Sequence, residues 1–283
     1  MKIMLLGDTH GNTDFIRNHV IPAAKSEGVR WIYQVGDFGY WEHTSSGVTF
    51  LDEVNAACIS AGLDIVFIQG NHDKTSMIAK KYNESMGFYQ VRSSVWFAPN
   101  GTLWSPDGKT NFLALGGAYS LDKYERLNEE KQKAHWMAVQ RVGSGYSYDY
   151  LLANAMEQTA ETLWFPEEQM TETQFERILH ETTDRVDVIL AHDKPFASNP
   201  LVRLSPIAEC APNQRRLQKA INVLQPKLFV HGHLHIRYTD SVRCGNDGRF
   251  TKVEGLGADV KNFSQSASSW SPSDAWEFLN LEG

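Results

Sequence analysis

The chain has 283 residues, 42% of them hydrophobic, so it is long enough to bury a large core and has the composition of a soluble globular protein. A formal net charge of −7, with acidic and basic residues interspersed, argues against a surface that grips a nucleic-acid backbone by releasing counterions. Cys58, Cys210 and Cys244 show no metal-ligand spacing and no stretch is long enough to span a bilayer, so the expectation is a reduced, cytoplasmic protein without a membrane partner.

The first half alternates short apolar runs with amphipathic stretches, the pattern of βαβ units and a sheet covered by helices. Met1-Lys2 leads straight into a strand at Ile3–Leu6, an apolar run too short for a signal peptide, which ends in Asp8-Thr9-His10. A helix over Thr13–Ser26 carries an apolar stripe through Phe15, Ile16, His19 and Val20. The next strand, Trp31–Val35, ends in Gly36-Asp37; a helix over Val48–Ala61 follows, and then a strand at Ile65–Ile68 that ends in Gly70-Asn71-His72-Asp73. Each polar cluster falls just past the C-terminal end of a strand, the edge where open α/β sheets place their ligands.

Hairpin-like segments come next: Ser94–Phe97, then Thr102–Ser105, a Pro106-Asp107-Gly108 turn and Asn111–Leu115. Residues 127–163 interrupt the rhythm with Lys, Gln, Tyr and Gly, a Gly143-Ser144-Gly145 hinge and a helix-like stretch from Tyr150 to Thr162. An interruption of that length reads either as a lid over the site or as a surface elaboration or oligomer contact. A strand at Val186–Leu190 leads into His192, and Lys227–Val230 leads into His231-Gly232-His233-Leu234-His235. Short strands around Ile236–Thr239, Phe250–Glu254 and Trp276–Leu279 complete the chain. The expected fold class is α/β: a two-sheet β-sandwich flanked by helices, in a single domain over 1–283 with an insertion at about 127–163.

Carboxylate and amide oxygens together with imidazole nitrogens, and no thiolate, suit hard-to-borderline divalent ions. Taken in order, the clusters resemble the calcineurin-like metallophosphoesterase superfamily, whose pattern runs Asp-x-His, Gly-Asp, Gly-Asn-His-(Asp/Glu), His, Gly-His-x-His. The match runs from Asp8 to His235. The segments Gly116-Gly117-Ala118-Tyr119-Ser120-Leu121-Asp122 and Trp164-Phe165-Pro166-Glu167-Glu168 are similar to a subgroup met in actinobacteria and their phages.

The resemblance implies two divalent ions, with Mn²⁺ the first choice and Fe, Zn, Ni or Co compatible. It implies Asp8, His10 and His235 around one ion, Asn71, His192 and His233 around the other, and Asp37 shared by both; a carboxylate has two oxygens for such sharing, where an imidazole has one free lone pair. In extended chain His231 would face the same side as His233 and His235, and the family pattern leaves His231 a supporting role. Asp193 is the expected acceptor that fixes the His192 tautomer. His72 is expected beside the leaving-group oxygen, as acid or charge stabiliser, with Asp73 orienting its ring. The implied reaction is attack of a metal-bridging hydroxide on phosphorus.

Protein phosphatases of the superfamily usually carry arginines beside the second and third motifs; here Phe38-Gly39-Tyr40-Trp41 follows Asp37, and Lys74-Thr75 follows Asp73. A singly charged diester needs less cationic clamping, so the preferred substrate is a small phosphodiester, with a cyclic nucleotide among the candidates. Tyr40, Trp41, Tyr119 and Arg126 are candidate substrate contacts. Phosphomonoester hydrolysis and a nuclease built on the same centre stay open, as does a non-catalytic protein-binding scaffold. A homo-oligomer is compatible with all of them.

Overall fold

In the computed structural model, residues 1–85, 87–200, 207–245, 248–260 and 270–281 are described. Among them the strands are β1 (Lys2–Leu6), β2 (Trp31–Gln34), β3 (Asp64–Ile68), β4 (Glu84–Ser85), β5 (Phe88–Arg92), β6 (Val95–Ala98), β7 (Leu103–Trp104), β8 (Phe112–Leu115), β9 (Val188–Ala191), β10 (Leu228–His231), β11 (Tyr238–Cys244), β12 (Arg249–Gly255) and β13 (Trp276–Asn280). They form two mixed sheets, in the orders β13-β1-β2-β3-β6-β5-β4 and β11-β12-β10-β9-β8-β7.

Side chains alternate along each strand, and this alternation builds the layers. Ile3 and Leu5 of β1, Tyr33 of β2 and Val66 and Ile68 of β3 face Phe112, Ala114, Val188, Leu190 and Val230 of the other sheet. Their neighbours Met4, Leu6, Ile32, Ile65 and Phe67 face outward onto Phe15, Ile16, Phe50, Leu51 and Val54 of two helices. On the far side Leu113, Leu115, Ile189 and Phe229 pack on Phe175, Ile178, Leu217 and Ile221, from helices Glu172–Glu181 and Ala211–Leu224. The result is the expected sandwich, helix on sheet on sheet on helix.

The expected helix over 13–26 is one run in three pieces, Thr13–Phe15, a π turn at Ile16–Val20, and Ile21–Ser26. Pro22 has no N–H to return to the preceding turn, and the wider π turn, closed by the Ile21 N–H on the Ile16 carbonyl, lies just before it. Helix Ser45–Ala61 begins three residues before the apolar pattern suggests, because the Thr44 hydroxyl caps the Gly47 N–H. β6 runs parallel to β3 in the first sheet while β7 and β8 pair in the second, so the expected hairpin region crosses between sheets. The insertion is two helices, Lys123–Gln140 and Tyr148–Thr159, joined by a turn with Gly143 and Gly145 at φ 96° and 90°. Its first helix went unrecognised because only Glu130, Ala134 and Ala138 are buried along 18 residues. No helix among the described residues is long and apolar enough to cross a membrane.

Candidate metal centre

Loops after β1, β2, β3, β9 and β10 converge at one edge of the sandwich and bring Asp8, His10, Asp37, Asn71, His72, His192, His233 and His235 together. Among the described residues six non-glycine positions have positive φ, and four are here: His10 at 44°, Asp37 at 54°, His233 at 62° and His235 at 55°. A left-handed backbone is costly for side chains with a Cβ, and such strain gathers at functional sites. It also breaks the alternation expected along 231–235, so His231, the last residue of β10, points elsewhere.

Asp8 and Asp37 are 0% and 1% exposed, a burial that carboxylates tolerate only against compensating charge or a full set of hydrogen-bond donors. His235 Nε2 lies 3.0 Å from Asp8 Oδ2, and His10 Nε2 lies 3.9 Å from Asp8 Oδ2 and 3.7 Å from Asp37 Oδ2. His192 Nε2 lies 3.4 Å from Asp37 Oδ2 and 2.9 Å from Asn71 Oδ1. The His233 N–H donates to both Asp8 oxygens at 3.1 Å, and the His192 and His233 rings are 5.1 Å apart. Two glycines make this closeness feasible: a Cβ on Gly70 would sit 2.2 Å from Asp37 Oδ1, and one on Gly232 2.0 Å from Asp8 Oδ1.

The ring electrostatics follow from these contacts. Burial alone would push His10 and His192 down, but Asp259, Asp8 and Asp37 raise His10 to about 9, and Asp37 and Asp8 raise His192 to about 10. Burial works to raise Asp8 and Asp37, yet His192 and its neighbours hold both below the usual carboxylate range. Burial holds His233 down at about 3, with the His192 charge adding to it.

Supporting contacts differ from expectation in three places. His192 Nδ1 donates to the Val35 carbonyl at 2.8 Å, so a backbone group fixes this ring; Asp193 instead accepts from Asn213 Nδ2 and Gln214 Nε2, each at 3.2 Å. Asp73 does not orient His72. It is wholly buried and accepts four backbone N–H groups, from Phe38 (3.2 Å), Gly39 (2.9 Å), Tyr40 (2.8 Å) and Gly70 (3.0 Å), tying the second and third loops together. Tyr40 is 2% exposed, its ring stacks on Phe67 and its hydroxyl donates to Glu42 at 2.8 Å, so it is a core residue and not a substrate contact. His231 is buried with Nδ1 donating to the Gly232 carbonyl and Nε2 accepting from the Tyr238 hydroxyl at 2.7 Å.

His72 stays at the edge of the donor cluster, with Nε2 4.0 Å from Asp37 Oδ2 and its N–H on Asp37 Oδ1 at 2.8 Å. Burial lowers its pKa and the Arg126 charge lowers it further, against Asp37 and Asp122. Trp41 donates from Nε1 to the His72 carbonyl at 2.5 Å and borders Gly11. Arg126 pairs with Asp122 and donates to the Leu163 carbonyl at 3.0 Å. Tyr119 is buried, with the Lys123 ammonium 5.8 Å from its ring centre.

Sequence reasoning missed Asp259, Asn12, Ser120 and Glu130. Ser120 Oγ accepts from Asn71 Nδ2 at 3.0 Å. Glu130 Oε1 accepts the N–H groups of Thr162 (2.9 Å), Leu163 (2.7 Å) and Trp164 (3.2 Å). The one available signal was Glu130 itself, an acidic residue on a helix with few apolar positions; Asp259 sits in no motif.

The donor set fits divalent ions. Asp8, His10 and His235 form one group and Asp8, Asp37 and His192 another, the chosen donor atoms in each lying within 4.8 Å of one another. His192 Nε2 faces two acceptor oxygens, so a positive species, proton or metal, belongs between them. A model of the calcineurin-like phosphoesterase family matches residues 1–237. Among solved structures, the chain is similar to a dimetal phosphatase from Danio rerio at 15% identity and TM-score 0.50, over 92% of this chain and 88% of that one. It is also similar to a phosphopantetheinyl hydrolase from Mycobacterium tuberculosis at 16% identity and TM-score 0.41, over 91% of this chain and 90% of that one. At 15% identity the first of these likenesses concerns the fold alone. No curated protein matches.

Proposed function

This chain belongs to the calcineurin-like phosphoesterase family, and from that premise we propose that it is a phosphoric ester hydrolase that uses two divalent ions to cleave a small phosphodiester. Asp8, His10 and His235 are the proposed holders of one ion and Asn71, His192 and His233 of the other, with Asp37 between them; Asp8 is a member of both donor groups. When bound, such a pair supplies a water acid enough to react near neutral pH and positive charge for the phosphate oxygens, with Mn²⁺ the first ion to try.

The remaining steps belong to the chain. His72, held below the ordinary imidazole value, presents a neutral N–H toward the leaving oxygen. Asp73 keeps the loops of Asp37 and Asn71 in register through its four backbone contacts. Val35 and Gly232 hold the His192 and His233 side of the site. Trp41 forms a wall against which an apolar or aromatic part of the substrate can rest.

The diester reading is carried by one observation: Phe38, which follows Asp37, is buried against Phe67, and Lys74, which follows Asp73, donates its ammonium to the Glu161 carbonyl at 2.6 Å. Position 38 offers no cation, and the Lys74 ammonium, engaged by the Glu161 carbonyl and 5.7 Å from the Phe165 ring centre, is no arginine fork for a doubly charged phosphate. One observation favours a monoester instead: Arg126, at the base of the inserted hairpin, is near enough to His72 for its charge to be felt there, although Asp122 pairs with it and opposes that charge. On either reading the hairpin is a cap whose base reaches the site, within a single domain. Parallel assays of Mn²⁺-loaded protein on a bis-aryl phosphodiester, an aryl monoester and 2′,3′- and 3′,5′-cyclic nucleotides test the choice. Faster turnover of diesters supports the proposal; a preference for the monoester that Arg126→Ala abolishes overturns it.

A further inference from the structure

Residues beyond the family match contribute to the centre. The chain leaves β12 at Gly255 and runs beside β1, where the Leu256 N–H bonds the His231 carbonyl at 2.8 Å and Ala258 bridges Asp8. The Asp259 N–H then bonds the Asp8 carbonyl at 2.9 Å, which sets the Asp259 side chain, 3% exposed, against the first loop. One carboxylate oxygen accepts from His10 Nδ1 at 2.7 Å and the other from Asn12 Nδ2 at 2.9 Å. Asn12 is in turn held by its own oxygen, which caps the Phe15 N–H at 3.0 Å.

Resting on the ligand reading above, we infer that Asp259 is the positioning residue of His10. With Nδ1 committed to Asp259 as a donor, Nε2 is the nitrogen left facing Asp8 and Asp37, and its lone pair is the one presented to an ion. Two fixed donors make a carboxylate the suitable group, since both its oxygens accept; an amide in its place would turn an N–H toward one of those donors. The helix cap on Asn12 makes the arrangement rigid, so the ring is aimed before any ion arrives.

Isothermal titration of metal-free protein with Mn²⁺, beside thermal melting of the same samples, tests this. The unsubstituted chain should show two binding steps, and Asp259→Asn should weaken one of them by about 10–100-fold, the usual cost of a lost ligand-orienting partner, while leaving the other within about twofold. Equal affinities in Asp259→Asn, or equal weakening of both steps, overturns the inference and leaves the ligand reading standing. An unsubstituted chain that takes up neither Mn²⁺ nor Zn²⁺ overturns both. Should Asp259→Asn not fold, Asn12→Asp keeps the helix cap and sets a like charge against Asp259; weakening of the same single step supports the role, and unchanged binding overturns it.

Discussion

At the edge that carries the candidate ligands Asp8, Asp37, Asp73, Asn71 and His192 are buried between strand ends, and four backbones are held at positive φ. Along the hairpin of Lys123–Gln140 and Tyr148–Thr159 the buried cluster is little more than Ala134, Ala138, Leu151 and Ala155, while Trp136, Val139, Val142, Tyr146 and Tyr150 stay exposed. The edge is over-determined by two sheets, so it can hold strain and unscreened charge. The hairpin meets the loops of that edge through a few polar contacts, the Lys74 ammonium on the Glu161 carbonyl and the His43 ring on the Thr162 carbonyl, while Glu130 and Arg126 hold the backbone of 162–164 at its base. On the proposed reading, chemistry common to many esters belongs to the edge and choice among esters to the hairpin.

That division can be broken most sharply at Asp37. Asp37→Asn should lower turnover of every ester by more than about 10³-fold, beyond the roughly 10²–10³ that one lost transition-state hydrogen bond costs. A residual rate near that of the parent on any one ester would remove Asp37 from the centre.

Asp73 comes next and acts on stability. Asp73→Ala leaves four buried backbone N–H groups without their acceptor and should cost about 3 kcal/mol or more, read by urea unfolding of the metal-free protein. A cost under about 1 kcal/mol would mean that the loops are held by something else.

The histidines give the pH dependence. Folded His10 and His192 at about 9 and 10 exceed the ordinary 6.5, so the metal-free fold binds their protons more tightly than the unfolded chain does. That contribution to stability is complete below about pH 6.5 and is lost as pH rises through 9 and 10. Ions compete with the same protons, so Mn²⁺ affinity should rise about tenfold per pH unit at each site between pH 6 and 8, with proton release seen in buffers of different ionisation enthalpy. Affinity independent of pH would contradict it.

The smallest effect is expected from Glu130→Ala. Freeing 162–164 from the hairpin should change kcat/KM by about threefold to tenfold, and unequally for diester and monoester, because Arg126 is anchored to the same segment. An equal change on both substrates would deny the hairpin a part in selection.

Much of the edge was legible because a strand that ends in a polar turn declares itself locally. β1, β2 and β3 lie within a residue of their expected bounds, and the loops that follow carry Asp8, Asp37 and Asn71. Asp73 and Tyr40 were misread for one reason: Asp73 ends one motif and Tyr40 lies three positions past Asp37, and only packing decides whether such a residue turns toward the site or into the loop. β5 at Phe88–Arg92 was missed, its burial running half-buried through Phe88 and Tyr89 with no clean alternation. Helix Lys123–Gln140 was hidden by a surface that stays polar nearly all round.

By itself the sequence determined which atoms are available and that strands deliver them to one edge, because hydrophobic alternation sets the sheets and glycine-rich turns set where each strand stops. Only the tertiary structure decided partners: Asp73 with four backbone donors, His192 with Val35, and His10 with Asp259, which stands 249 positions away. A hydrogen bond is won by whichever donor packing brings within about 3 Å, and that competition runs over the whole folded chain and leaves no trace in local pattern.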